Sequence, residues 1–332
     1  VKAFRGAKKQ RGVALIIALI LVALATILAT KLSFDGFLEL KRTTGVLAAE
    51  QALQFGLGAE ALAADALIQD LQTSAQATTL AGAWAQATQP LPITPDNNPE
   101  GEPIGTMQGA LEDMQGRFNL NSLARIGADG VTEDPLPLQQ FQRLLASVGV
   151  EPKWAGLARD WIDQDDTVGN PDGAEDAVYT SQTPPYRTGN WPMMSPTELM
   201  NLPGFGADRY RKIAPYVTAL PNANTQINLC TAPALVLESL AQGLNGEWSN
   251  SPAVLANGRK SGCFPDLNTF KNVASSFGGQ QALITVPIGV TSSYFQLTTR
   301  VMLGTTEFTL YSLLFRGNSA KVAPILRSFG TP

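Results

Sequence analysis

The sequence predicts an α+β fold in which one very long helix comes first, a helical body fills the middle and strands come last. Three observations carry this. Val13 to Thr30 is a run without a charge, and a proline-free helical pattern continues from it to about Leu71. Residues 137–163 and 195–220 carry helical signals with recognisable caps and turns. From Ser292 onward the period changes to apolar and polar side chains in alternation, the mark of a half-buried strand.

The N-terminal element is the most strongly marked. Lys2, Arg5, Lys8, Lys9 and Arg11 make residues 1–12 a +5 leader, so against a total of −4 the rest of the chain is −9. The charge-free run that follows reaches about 27 Å as a helix, just enough to span a bilayer core. Cations beside a membrane segment resist translocation, which keeps the leader cytoplasmic and sends the acidic body outside. A secretory signal peptide fits less well, because the apolar run is longer than an ordinary h-region and lacks a small-x-small site after it. Beyond Leu32, Leu40, Leu47, Phe55, Leu62 and Leu71 recur at helical offsets, so one helix is expected to begin in the membrane and finish outside it. Gly36, Gly45, Gly56 and Gly58 weaken that helix, each by up to about 1 kcal/mol relative to Ala.

Composition narrows the function. The 332 residues include no histidine and two cysteines, which removes most hydrolytic triads, haem ligation and imidazole metal sites. Nothing specifies a catalytic site, so the chain reads as a non-enzyme. An acidic body also repels nucleic-acid phosphates over most of its surface.

A basic leader ending in Gly12, then VALIIALILVALATILAT, then an amphipathic helix resembles the type IV prepilins and the pseudopilins of type II secretion. The resemblance implies that prepilin peptidase cuts between Gly12 and Val13 and methylates Val13. Most pilins carry glutamate as the fifth mature residue, where this chain has Ile17. A lone carboxylate in a bilayer costs at least about 2.5 to 3.5 kcal/mol, so it is kept where a neighbour offsets that cost. A subunit with no neighbour above it has no use for the acid. Ile17 therefore fits a filament tip, and minor pseudopilin K of type II secretion characteristically lacks this glutamate.

Ala83 to Gly105 holds five prolines and reads as a loop leaving the helix. Gly116-Arg117-Phe118-Asn119-Leu120-Asn121 resembles a segment of the K pseudopilins; locally it is either a half-buried strand end or an Asn-rich turn that caps a helix. A helical pair at 137–149 and 154–163 leads into an acidic stretch of Asp160, Asp163, Asp165, Asp166, Asp172, Glu175 and Asp176. Such crowding raises carboxylate pKa values unless a cation neutralises it. Calcium takes six to eight oxygen ligands in flexible geometry, and Gly169, Asn170 and Gly173 permit the turns that this needs. The EF-hand spacing is not met, and zinc is disfavoured without histidine. DWIDQD and GAEDAVY closely resemble the K pseudopilins, whose globular domain binds calcium. Carried over, Asp163, Asp165, Glu175 and Asp176 are the preferred Ca2+ ligands, with Asp166, Asp172 and the Thr167 carbonyl behind them. An acidic solvated loop is the plain alternative.

Ser195 to Leu220 has an N-cap at Ser195, Pro196 at the first helical position, Glu198 at capping-box spacing, the hairpin Leu202–Gly206 and a second helix with Tyr210 and Ile213. It looks like a helix-hairpin-helix, a unit often used on DNA phosphates, with Arg209, Arg211 and Lys212 nearby. Asn228 to Pro233 resembles the start of a similar unit. The charge balance favours packing over nucleic-acid binding. In an oxidising periplasm Cys230 and Cys263 are expected to pair, contributing on the order of 3 kcal/mol in the chain-entropy model. Ser292 to Arg300 and Thr305 to Arg316 then read as an antiparallel hairpin around Gly304.

The resemblance assembles these parts into a pilin-like frame. Residues 1–12 are the leader, 13–31 the transmembrane half of the helix, and 32–135 the rest of the helix with first strands, one near Ala110. Residues 136–277 form a large inserted α-helical domain, and 278–332 the last strands of a small antiparallel sheet packed on the helix. The implied function is that of a minor pseudopilin capping the tip of the type II secretion pseudopilus and supporting export of folded proteins across the outer membrane. Its partners would be minor pseudopilins I and J, then other pseudopilins. It would sit in the inner membrane by a single pass with its C-terminal domain in the periplasm. The rival reading is a type IV pilus-like minor pilin used for DNA uptake or adhesion.

Overall fold

The computed structural model describes residues 11–330 except 75, 87, 96, 97, 99, 126–133, 241–261, 265–267, 271–286 and 318–320. The leader up to residue 10, and Trp248 within the Cys230–Cys263 loop, lie outside the described residues. Helix α1 runs unbroken from Arg11 to Thr73, 63 residues, or about 95 Å at the usual rise per residue. Strands β1 (Leu91–Ile93), β2 (Gly105–Asp113) and β3 (Phe118–Asn119) follow. The body then holds α2 (Pro135–Ser147), α3 (Trp154–Ile162), α4 (Asp176–Tyr179) and α5 (Gly206–Ile213). After these come β4 (Val217–Thr218), β5 (Ile227–Asn228), α6 (Ala234–Glu238) and β6 (Ile288–Gly289). Strands β7 (Tyr294–Leu303), β8 (Thr306–Arg316) and β9 (Val322–Phe329) close the chain.

The frame is a five-stranded sheet in the order β1-β2-β7-β8-β9, antiparallel throughout. Strand β2 pairs with β7 from Gly105↔Leu303 to Asp113↔Phe295, and β7 turns into β8 at Gly304, whose φ of +55° suits glycine. The chain leaves the sheet at Asp113 and returns at Tyr294, and the helical body lies between these points. Its core gathers Phe118, Phe141, Leu144, Trp154, Ile162, Tyr179, Phe205 and Phe270. Phe118 stacks on Phe141 with ring centroids 5.1 Å apart. Pro324 cannot donate to a ladder and is tolerated because β9 is an edge strand, with a register shift between Leu313 and Leu314 opposite it.

Only the last third of α1 packs on the sheet, and the face it uses differs from the expected one. Ala52, Gly56, Ala59, Ala63 and Leu67 are buried, whereas Leu40, Leu47 and Leu62 are exposed and Phe55 and Leu71 half-buried. Small side chains let the helix approach closely: a Cβ on Gly56 would stand 3.1 Å from Leu310 Cδ2. Gly56 is therefore a packing residue as well as a weak helix former.

Two buried acids fix this seam. Glu60 accepts from Arg327 through both oxygens at 2.8 Å and from the Ser312 hydroxyl. Burial pushes its carboxyl up, but the hydrogen bonds from Arg327 and Ser312 and the Arg327 charge outweigh this and hold it below its ordinary value. Nearly three turns further along α1, Arg316 donates to Asp70 Oδ2 at 3.0 Å, to the Leu67 carbonyl, to Thr78 Oγ1 and to the Ser292 carbonyl. The guanidinium is thus satisfied where water does not reach it.

Candidate functional site

Gly12 and Val13 lie at the start of α1, within its first turn, and Val13 is half exposed. From Gly12 to Gln51 the described side chains are exposed or nearly so. Among the described residues this is the one helix long and apolar enough to cross a membrane, with mean hydropathy 3.0 in its most apolar stretch. Ile17 lies on that exposed stretch.

The acidic loop hangs from the end of α3. That helix buries Trp154, Ala158, Trp161 and Ile162 in the body, and the same turn carries Asp160 inward. Asp160 is fully buried; its Oδ2 accepts from the amides of Gly169 and Ala174, each at 2.9 Å. Asp163 caps the end of α3 and is also buried. Asp165 and Asp166 are exposed; Asp165 Oδ1 accepts from the Thr167 amide at 2.7 Å and Asp166 Oδ1 from Asn190 at 3.3 Å. Asp172 is half-buried beneath Gly156, where a Cβ would come within 2.6 Å of the Asp172 carbonyl.

Glu175 is the anomalous member of the group. It is 4% exposed, and neither carboxylate oxygen accepts a hydrogen bond. Thr188 lies close, but its one hydroxyl proton goes to Asp176 Oδ1 at 2.9 Å. Burial, then the charges of Asp160, Asp166 and Asp165, push the Glu175 carboxyl up to about 7. Asp176, expected beside it as a ligand, is committed elsewhere: it accepts the Thr188 amide and hydroxyl and pairs with Arg187 at 3.3 Å. As they stand, no three of the described Asp, Glu or Cys side chains converge on one point. Among the described residues of the loop, Glu175 alone is left as a buried carboxylate without a donor, an uncompensated group that a hard divalent ion would satisfy.

The asparagine motifs prove to be internal staples. Asn119 ends β3, caps the following turn by accepting from Asn121, accepts the Leu220 amide at 2.9 Å and donates to the Asn222 carbonyl at 2.9 Å. Strand end and capping turn are therefore both present. Asn121 reaches Met193 through both its oxygen and its nitrogen. Asn228 donates to Thr78 O, Asp113 Oδ2 and Ser292 Oγ, while Thr231 and Ser292 hydroxyls also donate to Asp113 Oδ2, both at 2.6 Å. This knot ties the exit of α1, the end of β2 and the helical body together. Cys230 and Cys263 form a disulfide beside it.

The hairpin unit is also turned inward. Pro196–Asn201 is a 3-10 turn rather than an α-helix, with the Ser195–Glu198 capping box complete. Gly204 and Gly206 take φ of +85° and +74°, which permits the hairpin before α5. Arg209 binds Glu151 in a fork at 2.9 and 3.0 Å and donates to the carbonyls of Gly204 and Phe205. That fork holds the Glu151 carboxyl down near 2. Arg211 pairs with Asp208 at 2.6 Å. Lys212 reaches the Gly149 carbonyl at 3.5 Å, so each cation of the group has a contact within the chain.

Comparison with known proteins agrees with this arrangement. The family model described as Type II secretion system (T2SS), protein K, matches residues 116–222. Type II secretion system protein K of Aeromonas hydrophila is 31% identical, covering 97% of this chain and 98% of that protein. Protein K of Pseudomonas aeruginosa is 33% identical over 97% of this chain and 93% of its own length, and that of Klebsiella pneumoniae is 37% identical over 67% of each. A chain in the crystal structure of the GspK-GspI-GspJ complex from the enterotoxigenic Escherichia coli type 2 secretion system superposes with a TM-score of 0.72 at 25% identity. It covers 88% of this chain and all of its own.

Proposed function

The chain belongs to the type II secretion system protein K family, and from that membership we propose that it closes the tip of the pseudopilus in complex with pseudopilins I and J. The observation that carries this reading is its likeness, through both frame and helical body, to a chain of a complex of K, I and J. The topology supports it: a large body inserted between β2 and β7 is tied to the exit of α1 through Asn228 and the Thr78 carbonyl, while Ile17 removes the acid a subunit above would need.

Maturation by cleavage after Gly12 and methylation of Val13, an anchor in the inner membrane and a periplasmic body follow from the same reading, supported by the charge-free run behind a basic leader. Calcium is part of it too. Glu175 would hold the ion with help from Asp163, Asp165 and Asp166, and its uncompensated burial supports this. The ion would neutralise carboxylates that otherwise repel one another.

Co-purification of the full chain in detergent with candidate I and J pseudopilins, with and without calcium, tests the proposal. A stable three-part complex is expected. Absence of any complex under both conditions would overturn the tip assignment.

A further inference from the structure

We propose that Asp160 is the positioning residue of the acidic loop, a buried carboxylate that shapes the loop's backbone before an ion arrives; the inference rests on the calcium reading above. One oxygen, Oδ2, ties together two amides five residues apart, those of Gly169 and Ala174, and so closes the turn between them. The other, Oδ1, is buried without a hydrogen bond, 3.6 Å from the Arg159 guanidinium. Room for this carboxylate exists because two neighbours lack side chains: a Cβ on Gly173 would overlap Oδ2, and one on Gly169 would come within 2.6 Å of Oδ1.

Ala174 is followed directly by Glu175, so the amide that Asp160 holds sets where the uncompensated carboxylate stands. The division of labour is then clear. Asp160 fixes the backbone, Glu175 waits for the cation from a buried position, and Asp165 and Asp166 are the exposed members beside it. Asp176 serves a different purpose, fastening the Thr188 segment. A loop ordered in advance avoids the ordering cost on binding, which is how a residue that touches no ion raises affinity.

Calorimetric titration of calcium into the full chain in detergent micelles tests this, comparing the unmodified chain with Asp160→Asn, Gly173→Ala, Glu175→Gln and Asp176→Asn. Asp160→Asn and Gly173→Ala are each expected to weaken calcium binding about tenfold to a hundredfold, the usual effect of removing an outer-shell partner. Glu175→Gln should abolish the titration, and Asp176→Asn should leave it within about twofold, as expected for a group outside the shell. Gly173→Ala keeps every carboxylate but perturbs the same turn, because its Cβ would overlap the Gly169 backbone as well as Asp160 Oδ2, so amide exchange carries the test if Asp160→Asn does not fold. Amide exchange on the unmodified chain without calcium adds a readout that needs no variant: Gly169 and Ala174 should be protected. Unprotected amides there, or unchanged affinity in both loop variants while Glu175→Gln loses calcium, would overturn the role of Asp160. An unmodified chain that takes up no calcium would overturn the calcium reading and this inference with it.

Discussion

Replacing Arg316 by methionine removes a guanidinium that joins the end of α1 to the sheet and to the helical body. Its side chain and that of Asp70 are 3% and 4% exposed, and the pair is 3.0 Å apart. Methionine keeps much of the apolar stem but loses the guanidinium that stands 4.8 Å from the Phe295 ring centroid, so the loss is mainly electrostatic. What remains is a buried Asp70 carboxylate without its partner, together with Leu67 and Ser292 carbonyls that lose a donor. Breaking a buried pair from one side costs about 3 to 5 kcal/mol. That is a fifth or more of the total stability of an ordinary domain, taken as roughly 5 to 15 kcal/mol. Denaturant titration of the full chain in detergent, followed by tryptophan fluorescence, reads this as a lowered midpoint. Asp70→Asn combined with Arg316→Met should cost less than the two changes summed, with a coupling of about 0.5 to 3 kcal/mol. A single-variant loss below about 1 kcal/mol, the level of an exposed pair, with no coupling would refute the joint.

Glu60 has a folded-state carboxyl below its ordinary 4.5, so its contribution is complete above that pH and is lost as the pH falls through the lower folded value. Thermal midpoints should therefore drop on acidification below about pH 4.5, less steeply in Glu60→Gln; equal slopes would remove Glu60 from the seam. Two glycines of α1 should behave oppositely. Gly58 faces open space, and Gly58→Ala should stabilise by up to about 1 kcal/mol, whereas Gly56→Leu should overpack against Leu310 and cost about 1 to 3 kcal/mol in the same denaturation assay. Because the cations of the hairpin unit pair within the chain, mobility-shift assays should show no salt-dependent DNA binding. Tight binding that weakens with salt would restore the DNA-uptake reading.

The sequence made α1 legible because an uncharged run of that length has few physical interpretations, and it made β7 and β8 legible through strict alternation. The packed face of α1 was hidden for the opposite reason. Hydropathy draws attention to Leu40, Leu47 and Leu62, but close approach selects Ala52, Gly56, Ala59 and Ala63, which carry little hydrophobic signal. Strand β9 was masked by Pro324, an exclusion that applies to central strands and not to an edge.

In the acidic stretch the number of carboxylates was plain, while their individual roles depended on burial. Asp160 turns inward because it lies one turn beyond the buried Gly156 on α3, a spacing that could have marked it. Asp176 is diverted by Thr188, whose approach from twelve residues away no local pattern announces. Asn119 and Asn228 were visible as motifs without chemistry, since their partners lie at Leu220, Asn222, Asp113 and Thr78, far along the chain.

The central claim is a tip position, and immunogold labelling of sheared pseudopili tests it most directly, using a chain tagged after its last strand. A single label at one end of each filament is the predicted result. Labels repeated along the filament shaft would contradict it.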